Sequence, residues 1–148
     1  MGKINNEIVI NASTEKIWNI LAEPALLDKY DPTVKKSTLI SVEKTGIGAK
    51  RKVDMLDGKN WFEEKITEYE VNKALTYQLT DCSFPIKGLK HSYTFEVSGS
   101  QTKVKQVMEY TVKFGLFGKL LDALMIRKQS DAGIKKFFSG LKNYAEKH

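Results

Sequence analysis

The chain changes its hydrophobic period once, and that change limits what it can fold into. Between residues 34 and 113 apolar side chains recur at alternate positions, as in Tyr93, Phe95 and Val97 against Thr94 and Glu96. Alternation marks strands with one buried and one wet face, and so an antiparallel sheet. Beyond Gly115 and Gly118 the spacing becomes three and four: Leu120, Leu124, Arg127, Asp131, Ile134, Phe138, Leu141, Ala145. That stripe predicts a helix of about 28 residues, roughly 40 Å long. A sheet with one dry face needs a cover, and no other predicted element is long enough to provide it.

The rest of the order follows from local signals. Ile4, Ile8 and Ile10 alternate in a strand over residues 3–10. The segment Asn11-Ala12-Ser13-Thr14-Glu15 supplies capping side chains and an early acid for a helix start, with Ile17, Trp18, Ile20 and Leu21 as its apolar side. Pro24 suits the first position of a second short helix, which Asp31-Pro32 ends. Strands are expected at 34–43 and 48–56, at 60–70 and 74–81, and at 89–97 and 102–113. Lys44-Thr45-Gly46-Ile47, Asp57-Gly58, Val71-Asn72-Lys73 and Ser98-Gly99-Ser100-Gln101 supply the turns. The expected class is α+β: strand, two short helices, six strands and a long helix, with no repeat or linker to divide 148 residues into more than one domain.

Composition narrows function mainly by exclusion. No apolar run approaches the roughly 18 residues of a membrane span, so no stable membrane insertion is expected. MGKINNEIVINAS alternates polar and apolar residues and does not read as a signal or transit peptide. A cytoplasmic location is the resulting expectation, and the single Cys82 agrees with it. The net charge of +6 comes mostly from scattered lysines, with Arg51 and Arg127 the only arginines. Base-edge readout and a clustered basic footprint are both missing, so no nucleic-acid partner is expected. No Cys/His cluster, Gly-rich phosphate loop or serine elbow occurs, so neither a metal nor a cofactor is expected.

Four segments carry a resemblance to a known family. They are Ile10 through Leu21, Gly46-Ile47-Gly48-Ala49, Ile66 through Glu70 continuing into Ala74-Leu75-Thr76-Tyr77, and Tyr110 followed by Phe117-Gly118-Lys119-Leu120-Leu121. Over almost its whole length the chain resembles the START/Bet v 1-like superfamily, and within it the polyketide cyclase/dehydrase-like group. Ser13 stands where family members usually carry proline, and Tyr30 where they often carry tryptophan. The resemblance implies a helix-grip fold, a seven-stranded curved antiparallel sheet around the C-terminal helix with an elongated cavity between them. It also implies binding of lipids, polyketides or other hydrophobic molecules, with enzymatic activity in some branches.

Strand alternation then predicts the cavity lining. Inward positions are Arg51, Val53 and Met55; Phe62, Glu64, Ile66 and Glu68; Leu75, Tyr77 and Leu79. His91, Tyr93, Phe95 and Val97 follow, then Val104, Gln106, Met108 and Tyr110, with Leu124 and Phe138 added from the helix. A one-residue bulge would reverse every assignment beyond it. Glu64 beside Arg51 reads either as a structural ion pair or as a proton-transfer group. His91 is either a general acid or base or a strand histidine satisfied by a neighbour. Arg127 and Asp131 have ion-pair spacing, and the segment 82–88 either gates an entrance or caps the core. Three functions remain open. The first is binding of a hydrophobic or aromatic small molecule by a monomer or weak homodimer. The second is a cofactor-free cyclase or dehydratase, and the third is a protein-interaction module. A dry cavity of about 300 Å³ would cost about 7 kcal/mol, which argues for an occupant.

Overall fold

The structure, a computed structural model, describes residues 2–84, 86–112 and 127–148. Its strands are β1 (Gly2–Ile10), β2 (Val34–Leu39), β3 (Lys50–Met55), β4 (Trp61–Glu70), β5 (Ala74–Cys82), β6 (Ile86–Ser98) and β7 (Gln101–Val112). They form one antiparallel sheet in the order β1-β7-β6-β5-β4-β3-β2. Because β1 and β2 lie at opposite edges, the chain between them must cross the sheet. It does so through α1 (Thr14–Leu21), a 3-10 turn (Pro24–Leu26) and α2 (Leu27–Tyr30). The last described element is α3 (Arg127–Lys147). The expected helical residues Leu120 and Leu124 lie outside the described residues.

Local chemistry explains where these elements begin and end. Ser13 is extended, and its Oγ accepts the Lys16 amide at 3.2 Å, so α1 starts with an orphan donor satisfied. The carbonyls at its end are met by β5 and by the loop between β2 and β3. Leu21 O accepts the Tyr77 hydroxyl at 2.8 Å, and Ala22 O accepts the Thr45 hydroxyl at 2.7 Å. Strands β2 and β3 are shorter than expected because the segment between them is a wide loop rather than a tight turn. Ser41 holds it, accepting the Lys50 amide at 2.8 Å, while Gly46 and Gly48 take φ of 81° and 89°.

The concave face of the sheet, α1 and α3 enclose the core. Ile17, Trp18, Ile20 and Leu21 are buried on α1, and Phe137, Phe138, Leu141 and Ala145 on α3. The alternation holds along β3, β6 and β7, but β4 departs from it. Ile66 pairs with Tyr77 while Glu68 pairs with Thr76, so Thr67 is an extra residue. The bulge turns Glu68 out to solvent, against the sequence expectation, and brings Tyr69 inward edge-on to Trp18 at 5.1 Å. A second shift leaves Thr80 of β5 unpaired between Leu79 and Asp81. Val97 keeps the inward parity yet is 73% exposed, because β6 runs past the end of the core.

Helix α3 approaches α2 more closely than a side chain would allow. A Cβ on Gly140 would lie 1.8 Å from the Tyr30 carbonyl oxygen. Backbone cannot yield as a side-chain tip can, so Gly140→Ala must push α3 away. The clash should outweigh the roughly 1 kcal/mol that alanine gains in helix propensity. We expect a net loss of about 1–3 kcal/mol in urea unfolding. An unchanged or raised midpoint would refute the close approach.

Candidate functional site

A pocket of about 180 Å³ lies between the concave face and the first half of α3. The sheet contributes Arg51, Phe62, Glu64, His91, Tyr93, Gln106 and Met108 to its wall. Register places these side chains together: Arg51 is directly opposite Glu64, His91 opposite Met108, and Tyr93 opposite Gln106. All seven were expected from alternation, since none lies beyond a bulge that reverses its parity.

Arg51 and Glu64 are the charged centre, 5% and 2% exposed. The Arg51 Nε and Nη2 both reach Glu64 Oε1, at 2.8 and 2.6 Å. Nη1 donates to the Pro24 carbonyl at 3.1 Å, and the guanidinium lies 4.0 Å over the Tyr77 ring. Burial works against this charge, but Tyr77 and Glu64 outweigh it and hold the group above its ordinary value. Burial also pushes the Tyr77 phenol up to about 12.

The second carboxylate oxygen of Glu64 faces His91 Nδ1 at 4.0 Å, beyond hydrogen-bond reach. Burial lowers the His91 pKa, Arg51 adds to the effect, and Glu64 only partly opposes it. The imidazole is therefore neutral at neutral pH. Tyr93 accepts a hydrogen bond from Gln106 Nε2 at 3.1 Å, and Gln106 Oε1 accepts from Asn6 at 3.3 Å. Burial raises the Tyr93 phenol well above its usual range, so it stays protonated.

The helices complete the wall with residues that alternation could not supply: Leu27, Asp31 and Thr33 beside α2, and Gly133, Ile134 and Phe137 from α3. Asp31 Oδ1 accepts both the amide and the hydroxyl of Thr33, at 2.9 and 2.7 Å. Burial raises its carboxyl despite those bonds. Asp31-Pro32-Thr33 carried a signal for this, because Asp commonly bonds the backbone two residues on. Phe137 lies three positions after Ile134 and so on the same helix face, where the sequence stripe took Phe138 alone.

Many of the other expected lining residues stand in the core or in a separate cluster rather than at the pocket. Val53 and Phe138 are in the core, Tyr77 lies beneath Arg51, and Phe95 packs edge-on to Trp18 at 5.9 Å. Tyr110 joins Ile4 and Met108 in a separate cluster, where its ring covers Gly2. Each points inward as expected, but facing the core is not the same as facing the pocket. Leu124 and the Arg127 side chain lie outside the described residues, and Asp131 is exposed. Cys82 is a free, half-buried thiol bonded to the Phe84 carbonyl at 3.3 Å. Phe84 meets Phe62 edge-on at 6.3 Å, so the connection after β5 packs on the pocket wall. Among the described residues no three His, Cys, Asp or Glu side chains converge as metal ligands.

Two outcomes test this charge arrangement. Arg51→Met would strand Glu64 as an unpaired buried charge, at a cost of about 3–5 kcal/mol in urea unfolding. The double change Arg51→Met/Glu64→Leu should recover most of that loss, and strictly additive effects would refute the coupling. His91 sets a pH dependence. The unfolded chain takes up a proton near the ordinary histidine value of about 6.5, which the folded site resists. Stability should be full above that value and fall as pH drops below it, until folded His91 also protonates. Urea melts of His91→Gln from about pH 7.5 to pH 5 should lack this part of the slope. An identical slope in the variant would contradict a neutral, partly buried imidazole.

The polyketide cyclase / dehydrase and lipid transport family matches the chain over residues 1–146. No curated protein matches it. Among solved structures it is similar to TTHA0849 from Thermus thermophilus, at 17% identity and a TM-score of 0.80 over 97% of each chain. A START superfamily protein from Mycobacterium smegmatis is 13% identical, with a TM-score of 0.79 over 98% of this chain and 97% of its own. Norcoclaurine synthase from Thalictrum flavum is 16% identical, with a TM-score of 0.76 over 99% and 87%. Identities this low establish the fold alone, a seven-stranded antiparallel sheet gripping a C-terminal helix. The chain thus belongs to the polyketide cyclase / dehydrase and lipid transport family.

Proposed function

We propose that the pocket binds a small, mainly apolar molecule carrying a polar edge, such as a hydroxylated aromatic ring. The observation that carries this reading is the unequal character of the two walls. Ile134 and Phe137 of α3 form an apolar side, while Glu64, His91, Tyr93 and Gln106 present polar groups from the sheet. A few directed polar groups in an apolar concavity orient a ligand by its hydrogen bonds and hold it by burial. Size supports a compact ligand: about 180 Å³ suits one ring better than an extended polyketide or lipid chain.

Proton transfer by a cofactor-free catalyst would fall to His91, which is neutral and faces the pocket. Glu64 is engaged by Arg51 and stands 4.0 Å from the imidazole, so His91 lacks the bonded carboxylate that would orient it. Binding is therefore the preferred reading.

Titration with p-cresol and with indole, followed by amide NMR, tests it. Saturable shifts are expected at Gly133, Ile134 and His91. Ile134→Trp, which fills the pocket from its partly exposed side, should weaken binding by about tenfold while the fold persists. Shifts scattered over the surface, or equal affinity in the variant, would rule the pocket out as the site.

A further inference from the structure

The α2–α3 contact has a second concavity on its other side, independent of the pocket. A groove of about 510 Å³ runs between Lys29, Tyr30 and Pro32 and the outer face of α3. Lys135, Lys136 and Lys147 line it from the helix, with Ser139 and Asn143 between them. Positions 135, 139, 143 and 147 repeat at one turn, so they form a single ladder about 18 Å long. Lys29 faces that ladder from α2, while Pro32 and Tyr144 contribute apolar surface.

The groove carries a surplus of positive charge. Among the described residues no carboxylate lies within ion-pair distance of the four lysines. Asp131 stands exposed one turn before Lys135 on the same ladder, while the acids nearest Lys29 and Lys147 are committed elsewhere. Asp28 accepts the Ser37 amide at 2.9 Å, Asp31 holds Thr33, and Glu146 accepts the Asn11 amide and pairs with Lys142. Four ammonium groups around a partly aromatic trough form a site for an anion with an apolar portion. Neutral donors at Ser139 and Asn143 add hydrogen bonds that a plain charged surface would lack.

We propose that this groove binds an amphipathic phosphate, a phosphate ester bearing an apolar tail, either free or as a phospholipid headgroup. The phosphate sits among the lysines and the tail lies along Pro32 and Tyr144. Each lysine near such an anion contributes about fivefold in affinity, and the attraction weakens as salt is raised.

Dodecyl phosphate, with dodecyl maltoside as uncharged control, tests the site by amide NMR at Ser139 and Asn143. The phosphate should shift both amides saturably and in a salt-dependent manner, and the maltoside should not. Lys135→Glu/Lys136→Glu should weaken binding by about tenfold or more. Sedimentation with phosphatidylcholine vesicles, with and without phosphatidylglycerol, identifies the source. Co-sedimentation only with the anionic vesicles assigns a bilayer headgroup, whereas binding of dodecyl phosphate alone assigns a soluble ester. Absence of binding in both arms, or equal binding by the charge-reversed variant, overturns the proposal. These lysines are exposed, and p-cresol binding by the variant reports on the pocket separately, so the two readings can fail independently.

Discussion

The buried guanidinium of Arg51 is the constraint around which the rest of the molecule is arranged. A charged group with five donors can leave water only if those donors find acceptors. Here they are Glu64 on the neighbouring strand and the Pro24 carbonyl of the crossing segment, with the Tyr77 ring against the guanidinium face. Tyr77 in turn bonds the end of α1. One side chain thus joins β3, β4, β5 and the helical crossover. Such a pair adds little net stability over apolar residues of the same shape. Its effect is selective, since any register that separated the two residues would strand a charge. The same pair sets the electrostatics of the pocket, because Glu64 has one oxygen committed to Arg51 and the other toward His91.

The second organising contact is the approach of α3 to the end of α2 at Gly140. It brings Tyr30 against both Phe137 and Tyr144, with ring centroids at 5.8 and 6.0 Å. These aromatics divide the space beside the helices into an inner pocket and an outer basic groove. The inner space takes its character from the sheet, which offers it neutral and paired polar groups. The outer space takes its character from the solvent face of α3, whose lysines have no sheet beneath them. Two chemically different concavities therefore share one helix pair.

Much of the fold was legible in the sequence, because burial imposes a period on each element. The inward parity of Arg51, Glu64, His91, Tyr93, Gln106 and Met108 followed from alternation, and all six reach the pocket. Where parity failed, the cause was local. Thr67 is an extra residue in β4, and no pattern of side chains announces such an insertion. The helical contributions were less legible. Phe137 and Phe138 are both buried, and the exact rotation of α3 decides which of them reaches the pocket. Asp31 carried a turn signal but no sign that it would be drawn under the sheet.

By itself the sequence determined the class of the fold, the order of its elements and, except beyond the bulge in β4, which face of each strand is dry. Those properties depend on local spacing, turn chemistry and the need to cover an apolar face. Only the tertiary structure decided which inward residues line a space and which fill it, and how large that space is. It also decided that Lys29 and three lysines of α3 surround one trough. These depend on how closely two helices and a bulged sheet approach, and that distance is set by contacts such as Gly140 on Tyr30 rather than by any period in the sequence.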